Sequence, residues 1–288
     1  MIDFAIPTSV DEAVGLLARA NGAGRVLAGG TDLIVQLRAG RMQPAVIVDI
    51  KRIPDLKAVR SEAGGLRVGA AVAGAELADH PEVRKHWPGV FEAARLIGST
   101  QVQGRASLGG NLCNASPAAD SVPALIAVGA TCTVAGPNGR REVAVEDVVT
   151  APGKTALGAG EFIVDFLLPA VPARASDAYQ RFIPRTEMDI AVVGAAVSLA
   201  LGADGTIAAA RVALGAVAPT ARLVPAAAAT LIGTKLDDGA LAQLAAAASA
   251  ACQPIDDKRG TIAFRTRVAG VLARRVAVQA YDRARSRA

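Results

Sequence analysis

Apolar and polar positions along this chain fall into two textures that change near residue 170. In the first, helical and strand periods are interleaved. Ser9-Val10-Asp11-Glu12 is a capping box, and it opens a helix to about Ala20 with Val14 and Leu17 on the inner face. Arg25–Ala28, Val46–Ile50 and Leu66–Ala70 are short apolar runs that read as buried strands. Ala73 to Asp79 predicts a short helix, and Pro88 to Ile97 a longer one with Val90, Phe91, Ala94 and Ile97 at helical spacing. Pro117 is placed as the first residue of a helix to about Val128, with Ser116 as its cap. Strands follow at Ala130–Val134 and Phe162–Leu168.

Pro169 to Ser176 carries two prolines among small residues and marks the boundary. Beyond it, Tyr179–Ile183, Ala191–Leu201 and Ile207–Ala216 read as three strands separated by turn signals. Two helices close the chain, roughly Asp238 to Cys252 and Thr261 to Arg283. Strands followed by helices give an α+β pattern, unlike alternating βαβ units. The expected domains are residues 1–172 and 176–285, and no tandem repeat is present.

Composition narrows the class. At 288 residues, 52% hydrophobic and 20% charged, the chain is globular and long enough for a sizeable core. With 3% aromatic residues it offers few platforms for nucleic-acid bases, and its net charge of +5 is scattered with no basic run. Nucleic-acid binding is therefore not expected. Cys113, Cys132 and Cys252 lie far apart without a CxxC pair, so the chain has no self-contained zinc or iron–sulfur ligand set. It also has no disulfide framework, consistent with a reducing compartment. Met1-Ile2-Asp3-Phe4 begins without a basic region followed by an apolar run, and no apolar stretch reaches membrane-spanning length. A cytoplasmic protein with no membrane span is the expectation.

The candidate chemistry lies in two glycine turns, Ala28-Gly29-Gly30-Thr31-Asp32-Leu33 and Ser107-Leu108-Gly109-Gly110-Asn111-Leu112. Each offers backbone without bulky side chains, so N–H groups can approach an anion closely. If the two converge, they suit the two phosphates of a dinucleotide. The first does not match GxGxxG, which leaves a Rossmann fold unsupported. Thr31 and Asp32 also fit ordinary turn or cap roles. Asp120 fits either of two readings, complementing a helix dipole or accepting from a ribose hydroxyl. Cys113 has no histidine near it in sequence and reads as a small, semi-buried lining residue. His80 and His86 flank Pro81 and Trp87 in an expected surface loop. Asp237-Asp238 and Asp256-Asp257 read as helix-start and loop acids. Arg181 and Arg185 fit either a cofactor contact or a solvent-facing strand position.

These residues resemble a known family. Ala28 to Leu33, the stretch from Thr100-Gln101-Val102 through Ser107 to Asp120, and Arg185 followed by Met188-Asp189-Ile190-Ala191-Val192-Val193 are similar to the FAD-binding medium subunit of the xanthine dehydrogenase and carbon monoxide dehydrogenase family of molybdenum hydroxylases. The likeness covers nearly the whole chain. It implies an FAD-binding domain of the PCMH (vanillyl-alcohol oxidase-like) type. That domain has two α+β subdomains, about 1–57 and 58–172. A smaller α+β C-terminal domain follows, with a three-stranded antiparallel sheet plus helices.

The resemblance further implies that FAD lies between the two subdomains. The first contact run would be Val26, Leu27, Ala28, Gly29, Gly30, Thr31, Asp32 and Leu33. Ser107, Gly110, Asn111 and Asn114 would hold phosphate or ribitol, with Cys113 contributing backbone, and Asp120 would hold the adenosine ribose. Ile97 would lie near the isoalloxazine, Ile163 beside the adenine, and Arg181 near the flavin. No catalytic residue and no metal ligand is expected on this chain. The implied partners are a large molybdopterin-binding subunit and a small [2Fe–2S] subunit in a heterohexamer. Electrons would leave to NAD, a quinone or a redox protein. Two other readings are a stand-alone flavin reductase resembling UDP-N-acetylenolpyruvylglucosamine reductase, and a flavin-free scaffold subunit.

Overall fold

In the computed structural model, which describes residues 2–287, the chain builds three main sheets, each with its own covering of helices, and a small two-stranded one. The first holds β1 (Asp3–Ala5), α1 (Val10–Arg19), β2 (Gly24–Leu27), α2 (Leu33–Arg38) and β3 (Val46–Asp49). Its strands are parallel in the order β1-β3-β2. The capping box forms as its residues dictate. Ser9 Oγ accepts from the Glu12 amide at 3.2 Å, and the Glu12 carboxylate reaches back to the Thr8 amide at 2.8 Å. Val10, Ala13 and Leu17 of α1 are buried and cluster with Val48 and Ile50. In contrast, α2 has no buried residue.

The second unit runs through β4 (Val59–Glu62), β5 (Gly65–Gly69), α3 (Gly74–Asp79), α4 (Pro81–His86), α5 (Pro88–Ala94), α6 (Thr100–Gln103), α7 (Leu108–Cys113) and α8 (Ser121–Val128). It continues with β6 (Thr131–Gly136), β7 (Gly139–Ala144), β8 (Val149–Ala151), β9 (Lys154–Thr155) and β10 (Phe162–Pro169). Its main sheet is antiparallel in the order β4-β5-β10-β6-β7, with Phe166 at the centre opposite Val68 and Cys132. Phe166 is fully buried beneath the helices.

In the third unit β11 (Ala175–Phe182), β12 (Val193–Leu201), β13 (Ile207–Gly215) and β14 (Arg222–Leu223) form an antiparallel sheet, followed by α9 (Pro225–Ala229), α10 (Asp238–Ala250) and α11 (Ile262–Ser286). The three expected strands are present, and the two-residue β14 adds a fourth at the edge. Both faces of this sheet are covered, which explains its continuous apolar runs. Ala178, Ala195, Val197, Val212 and Leu214 face the closing helices. Tyr179, Ala196 and Ala213, in register across the sheet, join the core of the second unit. There α8 is wedged between the two units, with seven of its eight residues buried.

Two expectations are corrected. The helix placed at Pro117 begins instead at Ser121, because the Pro117 carbonyl accepts from the Ala216 amide at 2.7 Å and pins that segment to the third sheet. The capped helix start in this region is Ser107, whose Oγ accepts from the Gly110 amide at 3.1 Å. His80 and His86 do not lie in a surface loop. His80 immediately precedes α4, His86 is its last residue, and the next residue, Trp87, enters the core, where Nε1 donates to Pro169 O at 3.0 Å. The acids after residue 236 behave as read: Asp237 Oδ1 accepts from the Ala240 amide to cap α10, and Asp256 and Asp257 lie in the loop before α11.

Candidate functional site

Between the parallel sheet and the five-stranded sheet lies a cleft of about 570 Å³, a volume in the usual range for small-ligand sites. Three stretches of chain wall it. One runs from Val26 and Ala28 through Leu33 to Gln36, a second from Ala106 to Asn114, and a third from Gly153 to Ile163. Ile97 closes part of one side.

The first wall is set by β2. Lys51 Nζ, paired with Asp49 at 2.6 Å, donates to Ala28 O at 3.0 Å and fixes the chain as it leaves the sheet. Gly29 then passes so close to Arg105 and Ala106 that a Cβ there would overlap the Arg105 carbonyl. Gly30 has a φ of 80°, a left-handed conformation that glycine adopts without strain. The two glycine loops therefore touch backbone to backbone. Gln36 ties them again from α2, its Nε2 donating to Asn114 Oδ1 at 2.9 Å.

The second wall is the start of α7. Gly109 packs against β5, where a Cβ would come within 2.6 Å of the Ala70 carbonyl oxygen. Gly110 differs, because a Cβ there would meet only Ser107 Oγ, at 3.3 Å. No backbone packs against the Cβ position of Gly110, which lines the cleft. Behind it, Asn111 Oδ1 accepts from both the amide and the hydroxyl of Ser121, at 3.2 and 2.7 Å.

Charge in the cleft is sparse. Arg25 lines it, with Nη1 donating to the carbonyls of Gly22 and Gly24. Glu161 is engaged by Arg141 at 2.8 Å, which with the Gly158 amide lowers its carboxyl below the ordinary range. Asp32 stands at the cleft mouth without a capping bond, and partial desolvation raises its carboxyl. Among the described residues the amides of Gly30, Thr31 and Asp32 donate to no protein acceptor. An anion here meets backbone N–H groups and carboxamides, with Arg25 as the cationic side chain of the lining.

Of the residues singled out from sequence, Val26, Ala28, Gly29, Gly30, Thr31, Asp32, Leu33, Ile97, Ser107, Gly110, Asn111, Cys113, Asn114 and Ile163 line this one cleft. Leu27 is buried in the sheet behind it. Asp120 and Arg181 stand outside the lining and engage each other at 2.5 Å, with Tyr179 Oη donating to Asp120 at 3.0 Å. Desolvation pushes the Asp120 carboxyl up to about 6, while Arg181 and Tyr179 pull it back. Cys113 lines the cleft as expected but is exposed there, not half-buried. Arg185 is far outside, a surface side chain paired with Asp189 at 3.2 Å.

Sequence reasoning missed the third wall apart from Ile163, and missed Lys51, Gln36 and Ser121. The third wall had a signal, since Gly153, Gly158 and Gly160 form a further glycine-rich stretch, and Gly153 and Gly160 both adopt positive φ. Nothing local marks Gln36 or Ser121, which matter through partners 78 and 10 residues away.

The family described as the FAD binding domain in molybdopterin dehydrogenase matches residues 1–171, and that of the CO dehydrogenase flavoprotein C-terminal domain matches residues 177–280. The chain belongs to the FAD-binding medium subunits of the molybdenum hydroxylases. This medium subunit is 33% identical over 281 residues to the carbon monoxide dehydrogenase medium chain of Hydrogenophaga pseudoflava, covering 98% of this chain and 97% of that one. It is 34% identical over 225 residues, 76% of each chain, to a putative xanthine dehydrogenase FAD-binding subunit of Escherichia coli. A solved carbon monoxide dehydrogenase from Hydrogenophaga pseudoflava superposes with a TM-score of 0.93 at 35% identity, covering 98% of both chains. The medium subunit is thus an oxidoreductase component, and its α+β architecture is that of the family.

Proposed function

We propose that this subunit carries FAD in the cleft and passes electrons from partner [2Fe–2S] clusters through it to an external acceptor. One observation carries the reading most directly: both glycine loops converge on one cleft, and at Gly110, which lines it, an added Cβ would meet the Ser107 hydroxyl but no backbone. A cofactor diphosphate approaching that backbone accounts for the missing side chain. The residues present fit FAD. Ser107, Gly110, Asn111 and Asn114 would hold one side of the diphosphate and ribityl chain, and Val26 to Leu33 the other. Ile163 would lie beside the adenine and Ile97 against the isoalloxazine. Asp120 and Arg181, which the resemblance assigns to the ribose and the flavin, would serve from behind the second wall.

FAD supplies an electron carrier that accepts electrons singly and releases them singly or in pairs. The residues of this chain bind and orient it and present backbone and carboxamide donors to its phosphates. Among the described residues no group of three or more His, Cys, Asp or Glu side chains could hold a metal. The reading therefore places molybdopterin on a large subunit and the clusters on a small one, in a heterohexamer acting in the cytoplasm. No helix of the described residues is long and apolar enough to cross a membrane. The acceptor, whether NAD, a quinone or a redox protein, would meet FAD at the partner-facing surface.

An FAD titration of the purified chain, followed by quenching of flavin fluorescence, tests this reading. Binding near one FAD per chain, with FMN much weaker for want of the second phosphate and the adenosine, is expected. Absence of FAD binding by the chain, both alone and purified with its co-expressed partner subunits, would overturn it.

A further inference from the structure

A carboxamide can face an anion with either end, and only its NH2 end is attractive. At Asn111 the choice is made by a residue outside the cleft. Ser121 is fully buried at the first position of α8 and takes no part in the cleft lining. Its backbone amide and its hydroxyl both reach Asn111 Oδ1, at 3.2 and 2.7 Å. A backbone N–H can only donate, so the atom it meets must be the carbonyl oxygen of Asn111. The remaining branch of the carboxamide, Nδ2, donates to no protein acceptor among the described residues, and Asn111 lines the cleft. This NH2 is therefore a side-chain donor left available to an anion in the cleft.

We infer that Ser121 is a positioning residue for the cofactor diphosphate. It acts through Asn111 alone, holding the carboxamide with its donor end toward the cleft. The inference rests on the FAD reading above. It adds a requirement that reading does not contain: affinity for a dinucleotide depends on a hydroxyl that the ligand cannot touch. The rigidity of α8 makes the device effective, because seven buried residues fix Ser121 in place.

A double-mutant cycle on the full chain, read by FAD titration, tests it. Ser121→Ala is expected to weaken FAD binding about 3- to 10-fold, the scale of one lost hydrogen bond. In an Asn111→Ala background the same change should have no further effect, because the path from Ser121 to the ligand is already cut. A purely structural Ser121 would cost affinity equally in both backgrounds, and that result would overturn the inference. Asn111→Asp supplies a second, independent arm. A carboxylate still accepts both Ser121 bonds but presents an oxygen to the diphosphate where the amide presented NH2. FAD affinity should fall at least about 30-fold near pH 7.5 and recover as the pH is lowered and the carboxyl protonates, whereas wild type should show no such recovery. Unchanged affinity in Asn111→Asp would overturn the inference while leaving the FAD reading intact. A wild-type chain that binds no FAD would overturn both.

Discussion

The two glycine loops look alike in sequence and are held in different ways. The first sits on α2, a six-residue helix with no buried side chain, and its tethers are the Lys51–Ala28 and Gln36–Asn114 bonds. The second begins α7 and is backed by α8, which is buried along nearly its whole length. A fully buried Val or Leu contributes roughly 1.5–3 kcal/mol, and α8 has several such residues where α2 has none. Thus one wall of the cleft is a rigid anchor and the other is light. The glycines differ as well. Gly29 and Gly109 are glycine because backbone passes against them, whereas Gly110 is glycine although no backbone does. A Gly-Gly pair is therefore a mixed signal: one member can answer to backbone packed against it while the other does not.

The anchor's own foundation is the buried Asp120, one residue before Ser121. Asp120→Ala leaves the Arg181 guanidinium, 4% exposed, without its partner, and should cost about 3–5 kcal/mol in thermal or denaturant unfolding. A loss under about 1 kcal/mol would break the picture of a rigid second wall. The pH dependence has a definite sign. The folded Asp120 value of about 6 lies above that of an unfolded carboxyl, so the native state holds the proton more tightly. Its stabilising contribution is complete below about pH 4 and is lost as the pH rises through about 6. Asp177, pushed up to about 7 by burial and by Glu92, adds a slope of the same sign. Asp120→Asn should accordingly flatten the stability–pH curve between about pH 4 and 6, measured by urea unfolding at several pH values.

Gly29→Ala comes next. The added methyl must push the Arg105–Ala106 backbone away, which should cost about 3 kcal/mol and lower FAD retention with it. Gly110→Val should separate the two effects. Folding stability should stay within about 1 kcal/mol of wild type, while FAD affinity falls at least about 10-fold. Unchanged flavin retention would remove Gly110 from the site. The smallest effect is expected for Gln36→Leu, which cuts a half-buried bond on the light wall. Unfolding should shift by about 1 kcal/mol or less, with a modest loss of FAD affinity seen as faster release. An effect as large as that of Gly29→Ala would mean that α2 is no light wall at all.

Local chemistry made much of the molecule legible. Ser9 and Glu12 announced α1, the apolar runs announced β2, β3, β5, β6 and β10, and the third unit's three long strands followed from segments set apart by turn signals. The cleft's two glycine walls could be named from sequence, although the light α2 beside the first could not. Where reading failed, a distant partner had overruled a local rule. Ser116-Pro117 carries every mark of a helix start, yet the Pro117 carbonyl is taken by Ala216 from another sheet. The true capped start at Ser107 was disguised by Gly109 and Gly110, residues that disfavour a helix interior.

The sequence by itself pointed to most of the longer helices and strands, to a change of texture near residue 170, and to the two glycine-bearing turns that line the cleft. Those features depend on neighbours a few residues apart, where spacing, capping and backbone freedom act. Only the tertiary structure decided that the two turns touch, that Asp120 and Arg181 satisfy each other, and that a buried serine turns the Asn111 carboxamide toward the cleft. Each of those contacts joins residues brought together by packing. Packing is governed by the volume and polarity of every side chain at once, and no short stretch of sequence contains that information.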